Sequence, residues 1–180
     1  THYPDGKNSM NNFGVFIQHI HKFKNNKLVL NDGIRLQAVT LRSNILDNSF
    51  FSLPDTVIKQ NYTVVTGNIG LVFFPHKNTS IRTSISSGFR APNIDDLSKI
   101  FESSSSARQV VVPNANIKPE YTYNIDLSIN QRLFKKLSVE VTGFYTIFRN
   151  GLVKAPYKLN GVDSIIYNGV LSQVLASQNS

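Results

Sequence analysis

The sequence predicts an all-β chain: antiparallel up-and-down strands forming about six to seven strands of a transmembrane β-barrel, with short turns at one end and long loops at the other. Three observations carry this expectation. Two long segments alternate apolar and polar residues for ten positions or more. No run of about 18 apolar residues offers a helical span. The connections between strands alternate short and long along the chain.

The alternation is cleanest from Glu120 to Leu133. Tyr121, Tyr123, Ile125, Leu127, Ile129 and Leu133 fall on one face, interrupted only by Gln131, and Glu120, Thr122, Asn124, Asp126, Ser128, Asn130 and Arg132 fall on the other. Successive strand side chains point to opposite faces, so this segment has one fatty and one polar side. Thr79 to Arg90 repeats the pattern: Ile81, Thr83, Ile85 and Phe89 oppose Arg82, Ser84, Ser86, Gly88 and Arg90. A face bearing Arg82, Arg90, Glu120, Asp126 and Arg132 needs water or paired partners, since unpaired buried charges cost several kcal/mol. A membrane barrel provides lipid on one side and a watery lumen on the other. A soluble antiparallel sheet with one solvated face has the same alternation.

Four further strands complete the expectation. The first runs Asn12 to Phe23, with an ambiguous face. It turns at Lys24-Asn25-Asn26-Lys27, where adjacent asparagines suit positive φ. The second, Leu28 to Leu41, alternates Ile34, Leu36 and Ala38 with Arg35 and Gln37. Arg42 to Gln60, aperiodic and holding Pro54, reads as a long loop. The third strand is Asn61 to Phe74, turning at Pro75-His76-Lys77-Asn78. After Arg90 comes the longest loop, Ala91 to Ile117. Asn93 there reads as a helix cap with Asp95 and Asp96 in the first turn, opening a short helix to about Glu102. The run Ser103 to Ser106 reads as mobile. The last strand is Leu137 to Val153, after the turn Phe134-Lys135-Lys136. Beyond Lys154 the chain reads as loop, with one more short strand at Asp163 to Val170 and a loop again from Leu171 to Ser180.

The net charge of +8 raises nucleic acid as a partner, but Lys22, Lys24, Lys27, Lys77, Arg132, Lys135 and Lys136 gather at three short turns, where lysines are ordinarily solvated. The reading is therefore no nucleic acid, unless Lys24, Lys77 and Lys136 share one continuous face. There is no cysteine. No Gly-rich phosphate loop, Gly-x-Ser-x-Gly elbow or His-Glu-x-x-His helix is present, so the reading is no enzyme, no cofactor and no metal. His19 and His21 share a strand face but are too few for a metal site, and Asp95-Asp96 reads either as helix-start acids or as a cation pair.

Gly88-Phe89-Arg90-Ala91-Pro92-Asn93, followed by Asp95-Asp96-Leu97, resembles the "GFRAPN…DEL" segment of the TonB-dependent outer-membrane receptors. Asn116-Ile117-Lys118-Pro119-Glu120 resembles their "N-x-L-K-P-E". Weaker likenesses occur in the right order at Gly33-Ile34-Arg35, at Gly70 to Phe73 with Pro75, at Phe144 to Val153 and at Tyr167-Asn168. The resemblance implies a barrel of about 22 strands with a plugged lumen. This chain is then part of a single barrel domain, lacking the plug, the N-terminal coupling box and the closing strand. It also implies an outer-membrane location in a bacterial cell, surrounding lipid, the TonB energy-coupling complex as partner through the plug, and a scarce ligand such as a ferric siderophore, cobalamin or a glycan. Haem receptors of the family usually carry a histidine between the two motifs; residues 93–117 contain none, which disfavours haem. The alternative reading is a soluble β-sandwich binding module for a carbohydrate-like ligand, recognised by burial of the Tyr121 face against a second sheet.

The candidate residues are those of the polar face and of the motifs. Arg35, Arg82 and Arg90 face the lumen if the fatty faces point outward, either attracting anionic ligands or pairing with Glu120, Asp126 and plug carboxylates. Arg90, where its strand leaves for the longest loop, is the foremost structural candidate. Phe89, Arg90, Ala91, Pro92, Lys118, Pro119 and Glu120 are the motif residues. Ligand contacts are expected in Ala91 to Ile117, Arg42 to Gln60 and the segment after Lys154, since loops on a rigid scaffold carry binding.

Overall fold

Six strands form one antiparallel sheet in the computed structural model, which describes residues 6–23, 25–49, 52–53, 56–98, 101–104, 108–134 and 136–180. Lys24, Pro54, Ser105, Ser106 and Lys135, which entered the reading of the turns and loops, lie outside the described residues. The sheet runs β1 (Asn8–Phe23), β2 (Leu28–Asn44), β3 (Val57–His76), β4 (Thr79–Arg90), β7 (Glu120–Leu133) and β8 (Leu137–Arg149), each hydrogen-bonded to the next. It is a meander: β1, β2, β3 and β4 are joined by tight turns at one end and by 45–56 at the other, while the excursion 91–119 leaves from β4 and returns into β7. β4 and β7 have the bounds the alternation predicts. At the first turn Asn25 and Asn26 adopt φ of 54° and 65°.

The register fixes the faces. Rows such as Val15–Leu36–Val65 and Ile69–Ile85–Ile125 run straight across the strands. Directly opposed residues of an antiparallel pair share a side, so these apolar rows fall on one face, which all six strands help to form. That face is open: Ile85 is 56 % exposed, Ile125 48 % and Leu127 52 %. Among the described residues no second sheet covers it, and this removes the β-sandwich reading. The run Tyr121 to Ile129 has the length of a tilted membrane crossing, about 9–11 residues. Aromatic rings mark both of its ends, with Phe23 and Phe73 toward the short turns and Phe89, Tyr121 and Tyr123 toward the loops, as in the girdles of membrane barrels. The first strand's ambiguity resolves: Phe13, Val15 and Ile17 join the apolar face, while Phe16 and Ile20 lie on the polar one. His19 and His21 stack on the apolar face with ring centroids 5.9 Å apart, and His19 Nδ1 lies 3.0 Å from Asp32 Oδ1.

The long loops are not loops throughout. A helix α1 (Ile94–Ser98) is followed by β5 (Phe101–Ser104) and β6 (Gln109–Val112), and after β8 come β9 (Leu152–Pro156), β10 (Ser164–Tyr167) and β11 (Val170–Asn179). The helix therefore stops short of Glu102, because Phe101 and Glu102 pair with Val111 and Val110. The β-branched run Val110-Val111-Val112 is a strand former and takes the segment from the helix. The expected loop Leu171 to Ser180 is strand β11, parallel to β6 and antiparallel to β9 and β10. Val174, Leu175 and Ala176 are buried as a continuous run, the mark of a parallel strand covered on both sides, and so show no alternation.

This second sheet packs at the loop end. Val110, Val112, Val174 and Ala176 meet Ile45, Leu53 and Leu159 in one cluster. Leu97 and Ile117 meet Leu41 and Ile58 in another. Leu41 and Ile58 lie on the same side as Arg35, so the polar face turns apolar near the loops, where they fold onto it. β2 and β3 are accordingly longer than the polar alternation predicts: Val39, Leu41, Ser43, Ile58 and Val64 are all buried.

Candidate functional site

The polar face and the loops folded over its upper end make the candidate site. Arg90, the last residue of β4, links several elements there. Nε donates to Glu120 Oε2 across the β4–β7 pair, and Nη1 donates to Asp96 Oδ2 at 2.7 Å. Asp96 also accepts the Asn93 N–H at 3.0 Å and returns its own N–H to Asn93 Oδ1 at 2.9 Å, a reciprocal cap that starts α1. This makes Asp96 a helix-start acid, not half of a cation pair. Glu120 Oε1 accepts the Leu152 N–H at 2.6 Å. One guanidinium thus ties the ends of β4 and β7 to α1, and through Glu120 to β9.

The other motif residues surround this point. Phe89 lies beside Tyr121, ring centroids 6.5 Å apart. Pro92 and Pro119 are buried and Ala91 is half-buried. The Lys118 N–H donates to Asn179 Oδ1 at 2.7 Å and its carbonyl accepts from Asn179 Nδ2 at 3.0 Å, so the motif is latched to β11. Residues 115–117 fold inward. Gln60 Nε2 donates to the carbonyls of Ala115 at 2.8 Å and Ile117 at 3.2 Å, and the Tyr62 hydroxyl lies 3.0 Å from the Ile117 carbonyl. These contacts satisfy the carbonyls of a partly buried backbone turn.

Lower on the polar face the candidate charges do not all meet. Arg82 Nη2 is 3.1 Å from Glu140 Oε2 on β8, with Asn130 Nδ2 on the same oxygen at 3.2 Å. Asp126 is held instead by Ser84 Oγ at 2.5 Å and Asn124 Nδ2 at 3.4 Å. Arg35 Nε donates to Gln37 Oε1 at 3.0 Å, and among the described residues no carboxylate lies in ion-pair range of it. A concave pocket of about 300 Å³ opens beside Arg35, with Phe16, Gln18, Asn68 and the backbone of Gly33 in its walls. Sequence reasoning missed Glu140, Gln60 and Tyr62. Glu140 reaches Arg82 diagonally across β7, which only the register shows, and Gln60 stood in an expected loop. Among the described residues no cluster of three metal-ligating side chains occurs.

The TonB dependent receptor-like β-barrel family matches residues 2–171. The chain belongs to that family. Solved structures agree in fold. The copper transporter OprC superposes with a TM-score of 0.67 at 16% identity over 94% of this chain and 24% of that one. The Serratia marcescens hemophore receptor HasR, solved with its hemophore and heme, gives 0.68 at 14% identity over 96% and 29%. The Pseudomonas aeruginosa siderophore receptor PirA gives 0.59 at 15% identity over 96% and 37%. The chain therefore spans about a quarter to a little over a third of the length of these structures. No match was found among the curated proteins.

Proposed function

We propose that this chain is one side of the barrel wall of a bacterial outer-membrane receptor that takes up a scarce ligand, foremost a ferric siderophore, with energy drawn from the TonB complex through a plug carried elsewhere in the protein. The observation that supports this reading most is the pairing of faces. One face of the wall is largely apolar and exposed, interrupted by His19, His21 and Asp32, and the opposite polar face is roofed at one end by its own long loops. Such a wall keeps its charges in a watery lumen and its hydrocarbon in the bilayer. The roof of α1, β5, β6 and β9 to β11 is where an arriving ligand meets the protein, and the Arg90 cluster fixes that roof to the wall.

The test is growth and radioactive iron uptake in a strain lacking the encoding gene, supplied with a panel of ferric siderophores under iron limitation. The expected result is loss of uptake of at least one chelate, restored by the gene and abolished again when TonB is removed. Uptake of every chelate at the parental rate without the gene sinks the iron-chelate reading.

A further inference from the structure

We propose that His19 and His21 form an open site for a divalent transition-metal ion of the copper–zinc class, on the apolar side of the wall near its short-turn end, with Asp32 orienting His19.

Two imidazoles alone do not close a metal site. The register brings a third group beside them. His19 stands directly opposite Asp32 across β1 and β2, and its Nδ1 lies 3.0 Å from Asp32 Oδ1. An ionised carboxylate only accepts, so Nδ1 carries the proton and donates it, and the Nε2 lone pair is left free. A histidine that ligates a metal is ordinarily held in this way, by a carboxylate behind its other nitrogen.

His21 comes two residues later on the same strand and points to the same side. Its ring nitrogens have no hydrogen-bond partner among the described residues. Phe23 meets the ring edge-on, with centroids 4.1 Å apart and planes at 64°, which steadies His21 without engaging a nitrogen. The His19 and His21 rings are 5.9 Å apart and inclined by only 27°. An ion about 2.0–2.1 Å from one nitrogen of each ring holds the two centroids roughly 4.5–6 Å apart. The rings therefore already stand at chelating distance. Imidazole nitrogen suits copper, nickel and zinc, whereas magnesium and calcium prefer oxygen. Water completes the coordination.

The position admits an ion from outside the wall. His21 stands two positions from Phe23, the last paired residue of β1, as Gln131 stands two positions from Leu133 at the end of β7. Polar groups on the apolar side thus recur near the short turns, the level at which they cost a membrane barrel little. The His19 and Asp32 side chains are 58% and 41% exposed. Arg35, Arg82 and Arg90 lie on the opposite side of the sheet, so this chelate is separate from the polar face. Its membrane setting rests on the barrel-wall reading; the chelate itself does not.

The experiment is a Cu(II) titration of the full-length receptor in detergent micelles, read by pulsed EPR, which counts the imidazoles on the bound ion. The unmodified receptor is expected to bind one equivalent more than His21→Gln, and to hold that ion by two imidazoles. Asp32→Asn keeps both rings and is expected to weaken this equivalent about tenfold to a hundredfold, the usual worth of the group behind a ligating histidine. His76→Gln, at the β3–β4 turn, is expected to leave it unchanged. If His21→Gln does not assemble, Asp32→Asn decides. Equal Cu(II) binding by the unmodified receptor and His21→Gln overturns the proposal. So does an affinity for Asp32→Asn equal to that of the unmodified receptor.

Discussion

Ser87 closes the seam between β3 and β4 against Gly67 with its side chain instead of its backbone. Its Oγ accepts the Gly67 N–H at 3.0 Å and lies 3.3 Å from the Gly67 carbonyl oxygen. The main-chain register between these strands ends one step below, at Asn68↔Ser86. Backbone groups left unpaired in a sheet are costly, so this hydroxyl stands in for a missing ladder rung. Ser87→Ala is expected to cost about 0.5–1.5 kcal/mol and to speed hydrogen exchange of the Gly67 amide while leaving Ile69 to Phe73 unchanged. Exchange at Gly67 equal to that of the parent would show that the rung is not needed.

Arg90 joins two acids through two different nitrogens, so a single-point cation cannot replace it. Arg90→Lys and Arg90→Ala are both expected to expose residues 91–119 to protease, with Lys recovering little of the protection. The side chain is about half exposed, so the pair with Glu120 alone is held to about 0.2–1 kcal/mol in a double-mutant cycle. Cleavage at the parental rate in both variants contradicts the tether.

Leu97 is fully buried between Leu41, Ile58 and Ile117. Truncation to Ala leaves a cavity worth about 2–5 kcal/mol. The roof is expected to detach at lower temperature than in the parent, seen as loss of protection at Val110 to Val112 and Val174 to Ala176. The β7–β8 amides, which share none of these contacts, keep theirs.

Neighbouring positions on β7 separate membrane from water. Ile125→Arg places a charge on the apolar face and is expected to cost about 2–4 kcal/mol in refolding into lipid bilayers. Asn124→Arg, one residue away on the other face, is expected to refold as the parent does. Equal refolding by the two variants argues against lipid on the Ile125 side.

Asp47, in the 45–56 connection, accepts the Ser49 hydroxyl at 2.6 Å and the Ser49 N–H at 3.0 Å. Those bonds, the hydroxyl first, hold its carboxyl below the ordinary 3.8. A lowered acid favours its charged form in the folded state, so the turn is intact above pH 3.8 and loosens only as pH falls through the lowered value. The Ser49 amide shift is expected to titrate with a midpoint below 3.8, and Asp47→Asn removes the titration.

Much of the wall is legible in the amino-acid order alone. Thr79 to Arg90 and Glu120 to Leu133 alternate because each side meets a different solvent, and that contrast is written into every second residue. The legibility ends where both sides meet protein. Val57 to Gln60 belongs to β3, but Ile58 and Gln60 turn inward beneath the roof, which erases the polar half of the pattern. Val174-Leu175-Ala176 is buried all round and reads as a featureless apolar run. The Arg90–Glu120 pair follows from placing the two motifs on adjacent strands. The Arg82–Glu140 contact does not, because it spans two strands diagonally and depends on a register that no single segment encodes.

The parallel pairing of β6 with β11 has a consequence for the order of assembly. Gln109 and Gln173, which meet at its start, are 64 residues apart in sequence. Contacts of such separation form late, since the intervening chain must first be brought to place. The intervening chain here includes β7 and β8, themselves a hairpin closed by local contacts. The hairpins of the wall are thus expected to zip before the roof can close. Once β11 docks, the roof closes over a wall already built.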